Sequence, residues 1–305
     1  MTKSRNSFYF ISLLGLSVIL WWHALASTLK LALQNYEYTH IFLILPISAA
    51  LIYLEWTSGT LPQANIRNNS ALLLLPVLAG LATSQWWGIG RLSRDAQLSL
   101  EMLTLVGWWI ASFVCCFGTR VAQRCLFPLS FLLWFVPLPE FAVAGIIRFL
   151  QQGSASSAQL LFTMARVPVA QDGVFLSIPG LTIEVATECS SIRSTLILLV
   201  TGMVLAHLLL GSGWGKTLLT LAVIPISVIK NGLRIFTITM LGTRVDPGFL
   251  HGRLHRQGGI LFYLLSLVVL FLLLLLLQRL ERKQKPETIP APIVRDRTKL
   301  SVNLS

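Results

Sequence analysis

Between residues 187 and 194 the chain reads TECSSIRS. A thiol, Cys189, follows a carboxylate, Glu188, and precedes a guanidinium, Arg193, at the opening of a long apolar run. The thiolate is the nucleophilic form of cysteine, and a helix N-terminus or a nearby cation favours it. A second polar group interrupts a later apolar run: VIKNGLRIFTI carries Lys230, Asn231 and Arg234. Asn231 and Arg234 are three residues apart and Lys230 and Arg234 four, so on a helix they share one face. Ionisable groups at membrane depth are expensive and therefore mark functional sites. Five histidines could carry a proton. His40 lies in YEYTHIFLILPIS, and His251 and His255 lie in FLHGRLHRQGGILFY. His23 and His207 sit within apolar stretches and are expected to be packing or hydrogen-bonded residues. A cysteine nucleophile, a histidine acid/base and a cation that stabilises an oxyanion form a complete set for acyl transfer.

Each residue alone has a plainer reading. Cys189 could be a small packing residue, and Lys230 or Arg234 could snorkel to lipid headgroups. The company they keep argues otherwise, because Asn231 shares the stripe with both cations. Cys115, Cys116 and Cys125 fall at the ends of other apolar segments. With no CxxC pair beside a histidine, a zinc site is not expected, and neither is any other metal or cofactor.

The elements that must position these groups are set by composition. Of the 305 residues 54% are hydrophobic and 12% charged, against roughly 25% charged in a soluble domain, and mean hydropathy is +0.72. Apolar stretches near the 20 residues or so needed to cross hydrocarbon recur along the chain. The fold expected is an all-α polytopic membrane protein with about eight transmembrane helices. The segments fall near 8–26, 40–56, 70–90, 98–118, 125–136, 191–211, 217–238 and 258–278. The fifth is short and can continue into the amphipathic stretch after PLPE. The N-terminal apolar run is too long for a signal peptide, and Trp21, Trp22 and His23 make a poor cleavage site. Residues 1–285 are expected to form one integral membrane domain, and 286–305, charged and Pro-containing, a disordered cytoplasmic tail.

The net charge of +12 does not imply a nucleic-acid partner, because Lys and Arg cluster at the ends of apolar runs, the pattern of cytoplasmic anchoring. Lys3, Arg5, Arg67, Arg120, Arg124, Lys216, Arg279, Arg282, Lys283 and Lys285 fall on one side if eight spans alternate. That side is read as cytoplasmic, with both termini inside. Arg91 and Arg94 fall on the other side and weaken the bias without reversing it. TECSSIRS, the Arg234 end of the seventh span and the loop 239–257 then all lie at the outer face. Before Cys189, GVFLSIPGLTIEV alternates around Pro179-Gly180, the pattern of a small β-hairpin cap on that face.

These residues carry a resemblance. The chain resembles the exosortase/archaeosortase family of membrane-embedded cysteine transpeptidases over residues 36 to 265 or so. Tyr38, Thr39 and His40, with Pro46 beyond, look like that family's early Y-S/T-H segment. FPLSFLLWFVPLPE is similar to its central FP…PLP stretch, ECSSIRS to its cysteine motif, NGLRI to its N-x-x-R-I motif, and HRQGG to its final histidine with glycine four residues on. The resemblance implies Cys189 as nucleophile, Arg234 as oxyanion or substrate-orienting cation and His255 as general acid/base. His255 is preferred to His251 for the spacing to Gly259. Asn231 would orient Arg234, and Glu188, Arg193 and His40 would support the site. Where the family commonly has glycine two residues after the cysteine, this chain has Ser191, which bears on subfamily and substrate.

The function implied is that of a PEP-CTERM-type exosortase in a bacterial inner membrane. It would cleave exported, membrane-anchored proteins at a C-terminal sorting signal: a Pro-Glu-Pro-type motif, one transmembrane helix and a basic cluster. A thioester acyl-enzyme would then pass the protein to an acceptor. Exopolysaccharide-export machinery is a further expected partner, besides the bilayer itself. The outward cations Arg234, Arg244, Arg253 and Arg256 would attract an acidic recognition element. The leading alternative is a transporter or flippase for a lipid-linked saccharide, against which stand the lack of internal repeats and the clustering of charge at one face. A protease that only hydrolyses, and a subunit without chemistry, are the others.

Overall fold

The structure, a computed structural model, describes residues 2–58, 93–185, 192–248 and 253–284, side chains of 2–4, 253–258 and 284 excepted. Helices α1 (Thr2–Leu20) and α2 (Trp22–Gln34) lead through a 3-10 turn (Tyr36–Tyr38) into α3 (Ile41–Thr57). Then come α4 (Arg94–Phe117), the short α5 (Thr119–Arg124) and α6 (Leu126–Phe131), a 3-10 turn (Leu132–Phe135) and α7 (Glu140–Met164). Three short strands follow, β1 (Ala170–Asp172), β2 (Phe175–Ile178) and β3 (Leu181–Glu184), before α8 (Ile192–Leu209), α9 (Gly213–Arg244) and α10 (Arg253–Gln284).

Five stretches are long and apolar enough to cross a membrane: Tyr36–Thr57, Arg94–Phe117, Ile192–Leu209, Gly213–Arg244 and Gly259–Lys283. Two bent pairs raise the number to seven among the described residues. The expected segment at 70–90 lies outside the described residues. The first expected span is one bent pair, broken by 76° between α1 and α2. Tertiary contacts hold the bend: the Trp21 indole donates to Thr104 Oγ1 at 3.0 Å and packs 5.6 Å from the Trp108 ring. The fifth is the other, bent by 97° before α7. Pro137 and Pro139 lack N–H groups and disfavour helix in the residue before each, so the helix cannot run through.

The bundle has three cores. One joins α1–α4, α6 and the start of α8, with Phe113, Phe117 and Phe131 at its centre. A second runs between α8, α9 and α10, where Leu198, Leu219, Val223, Leu270 and Leu274 are buried. There Gly202 lets α8 approach closely, since a Cβ on it would lie 3.1 Å from Val223. The third ties the small sheet to the helices: Leu176 and Val185 pack with Ala155, Ala158 and Phe162 of α7 and Ile235 of α9.

The sheet is antiparallel in the order β1-β2-β3. Its β2–β3 hairpin pairs Ile178 with Leu181 around Pro179-Gly180, as the alternation predicts, and Gly180 has the positive φ of 81° that such a turn needs. The added strand β1 pairs Gln171 with Leu176. Three residues are too few to show alternation, so it left no sequence signal.

Candidate active site

A cavity of about 1690 Å³ lies at the end of the bundle where α4, α7 and α8 begin and α2 ends. Helix length explains why α9 reaches it with polar groups. At 1.5 Å per residue, Arg234 lies about 32 Å along the helix from Gly213, one hydrocarbon thickness from the α8–α9 turn. At the Gly213 end, Ser212 caps α9 by accepting from Gly215 N at 3.0 Å.

Lys230, Asn231 and Arg234 all line the cavity, so the shared face read from their spacing is real. Lys230 and Asn231 are buried, and Lys230 Nζ donates to Ser194 Oγ on α8 at 2.5 Å. Arg193, also in the first turn of α8, borders the cavity with its guanidinium 5.5 Å from the centre of the Tyr36 ring.

Further lining comes from the turn before α3 and the entry to α7. The Tyr38 hydroxyl donates to Leu138 O at 3.0 Å, and Ser99 Oγ donates to Pro137 O at 2.7 Å. The prolines that break the helix leave carbonyls without backbone donors, and these two side chains satisfy them.

Of the other expected residues, His40 is buried at the start of α3, with Nδ1 3.1 Å from Glu37 O, and does not line the cavity; its neighbour Tyr38 does. Glu188, Cys189 and His251 lie outside the described residues. His255 is in the first turn of α10, four residues before Gly259, which borders the cavity; its side chain is outside the description. His23, expected to be a packing residue, lines the cavity. His207 is held far from it, stacked 4.0 Å from the Phe127 ring and 4.0 Å from Glu55. Cys115, Cys116 and Cys125 are free and buried. Among the described residues no cluster of His, Cys, Asp or Glu could hold a metal ion.

The structure adds four acids to the lining. Glu37, Asp95, Glu101 and Glu140 border the cavity, as do Arg94, Arg193, Lys230 and Arg234. Among the described residues the lining carries four groups of each sign; of the cations expected at this face Arg234 borders the cavity, and the side chains of Arg253 and Arg256 lie outside the description. A signal for these acids existed: the chain has twelve Asp and Glu in all, so four at the boundaries of apolar runs are conspicuous.

Fold and cavity together define a polytopic helical membrane protein with a polar site at one end of its bundle. A family model described as transmembrane exosortase (Exosortase_EpsH) matches residues 21–272. The chain belongs to that family. No curated protein and no solved structure matches it.

Proposed function

We propose that the chain is a cysteine transpeptidase that cleaves the C-terminal sorting signals of membrane-anchored, exported proteins. The observation that carries this reading is the convergence on one cavity of Arg193, Ser194, Asn231 and Arg234 with Gly259, from the three segments whose motifs resemble the family's. Family membership supports the class. Chain connectivity supports the nucleophile: Cys189 is three residues before Ile192, so its Cα is within about 11 Å of a residue bordering the cavity. The volume also fits, being larger than the 300–1,000 Å³ or so of a small-molecule pocket and suited to an extended peptide.

In this mechanism the Cys189 thiolate attacks a backbone carbonyl next to the Pro-Glu-Pro-type motif. Arg234, oriented by Asn231, holds the oxyanion. His255 gives a proton to the leaving amine as the C–N bond breaks, and a thioester remains. An amine acceptor, or water, then attacks the thioester and returns the thiol. The site would face the periplasm and both termini the cytoplasm of a bacterial inner membrane.

The test is a processing assay in cells. A tagged protein from the same genome with such a tail is followed with the parent enzyme and with Cys189→Ala. Shortening by the parent alone supports acyl transfer. Equal processing by both, or by neither with enzyme present in the membrane, sinks it and moves the lipid-linked saccharide transporter to the front.

A further inference from the structure

We infer that Lys230 and Ser194 form a positioning pair, which fixes the first turn of α8 against α9 and so sets the spacing of the reacting groups. This rests on the acyl-transfer reading above. Lys230 is 6% exposed and its ammonium donates to Ser194 Oγ, joining positions 36 residues apart at the edge of the cavity.

Holding the two helices together does not require this bond. Leu198 and Ala206 of α8 already pack with Leu219 and Val223 of α9, and Gly202 permits the close approach. Burying an ammonium is costly, and an apolar pair of similar size often serves stability as well or better. What the polar contact adds is direction and register at the end where the helices reach the cavity.

Around Lys230, α9 is a fixed platform. Asn231 is fully buried, and Gly232 lies so close to α7 that an added Cβ would come 2.9 Å from Ala158 N. The first turn of α8 buries Ile192, Thr195 and Leu196, and its polar side chains reach outward from that packing: Arg193 over the Tyr36 ring and Ser194 against Lys230. Lys230 is one helical turn before Arg234, and Ser194 is five residues after Cys189. A slip of one residue at this contact, 1.5 Å along the helix axis, is enough to spoil a reacting geometry.

The experiment compares Ser194→Thr with Ser194→Val, which match in size and differ in the hydroxyl. Enzyme in lipid nanodiscs is assayed on a peptide with the sorting tail, and hydrogen exchange is read at amides 196–199, which bond back to the carbonyls of 192–195. With Ser194→Thr, kcat stays near the parent's. With Ser194→Val it falls about tenfold or more at unchanged KM, and exchange at 196–199 speeds up. Lys230→Met reproduces both effects, and adding Ser194→Val to it changes nothing further. Equal behaviour of Thr and Val, or unchanged exchange in Lys230→Met, overturns the pair. So does an exchange difference without a kcat difference where acyl transfer is measurable. If Cys189→Ala proves silent, the acyl-transfer reading falls separately, and the exchange contrast alone decides whether Lys230 fixes the turn.

Discussion

Arg234 offers a planar fork of donors one turn beyond Lys230, on a helix whose neighbouring residues are buried. A lysine there keeps the charge and loses the fork. Arg234→Lys is therefore expected to lower kcat by about a hundredfold, the scale of one oxyanion donor, while the protein still reaches the membrane. Near-normal turnover of a tailed peptide would remove Arg234 from the oxyanion role. The histidines can be ranked in the same assay. His255 is one turn before the cavity-lining Gly259. His255→Ala should cost the hundredfold or so of a lost general acid, and His251→Ala should stay close to the parent; the reverse order would hand the role to His251. The stripe of Lys230, Asn231 and Arg234 was legible because helical spacing alone brings those residues together. The Lys230–Ser194 bond was not, since it joins two helices whose register no local pattern encodes. The four lining acids were conspicuous one by one, as rare charges at the ends of apolar runs, but their meeting was not legible, since they come from the turn before α3, from α4 and from the start of α7.

At the scale of elements, the contact between α9 and α7 depends on a missing side chain. A Cβ at Gly232 would collide with Ser157 Oγ and stand 2.9 Å from Ala158 N, a backbone atom that cannot swing away. Gly232→Ala is expected to cost about 1–3 kcal/mol, as overpacking does, and to displace Asn231 and Arg234 beside it. Thermal unfolding in detergent and kcat should fall together. An unchanged melting midpoint would mean that α9 sits farther from α7 than described. The far end of the same helix is tied differently: Glu281 of α10 accepts from Gly211 N at 2.9 Å and Ser212 N at 3.1 Å, so α10 braces the α8–α9 turn. The hairpin could be read from Pro179-Gly180 because a turn has its own chemistry. The bend at Trp21 could not, because no proline or glycine marks it and its cause is an indole bonded to α4. The bend before α7 falls between, with Pro137 and Pro139 showing where a helix must stop but not where the next one heads.

For the whole molecule, the membrane class follows from composition, whereas sidedness rests on a charge bias with exceptions. Lys216 stands near the start of α9, and Arg279, Arg282 and Lys283 stand at the end of α10, braced together by Glu281. The cavity opens at the other ends of these helices, about one hydrocarbon thickness away. If the basic end is cytoplasmic, as such clusters usually are, Cys189 belongs on the outer side. A membrane-impermeant maleimide added to intact cells tests this without any substrate. Cys115, Cys116 and Cys125 are buried, so labelling of the parent protein should be lost in Cys189→Ser and kept in Cys125→Ser. Labelling that requires broken cells would turn the molecule over and put the cavity inside the cytoplasm, where a sorting signal on an exported protein could not meet it. Labelling in intact cells that survives Cys189→Ser would instead mean that another thiol is open to solvent, against the burial found for the other three.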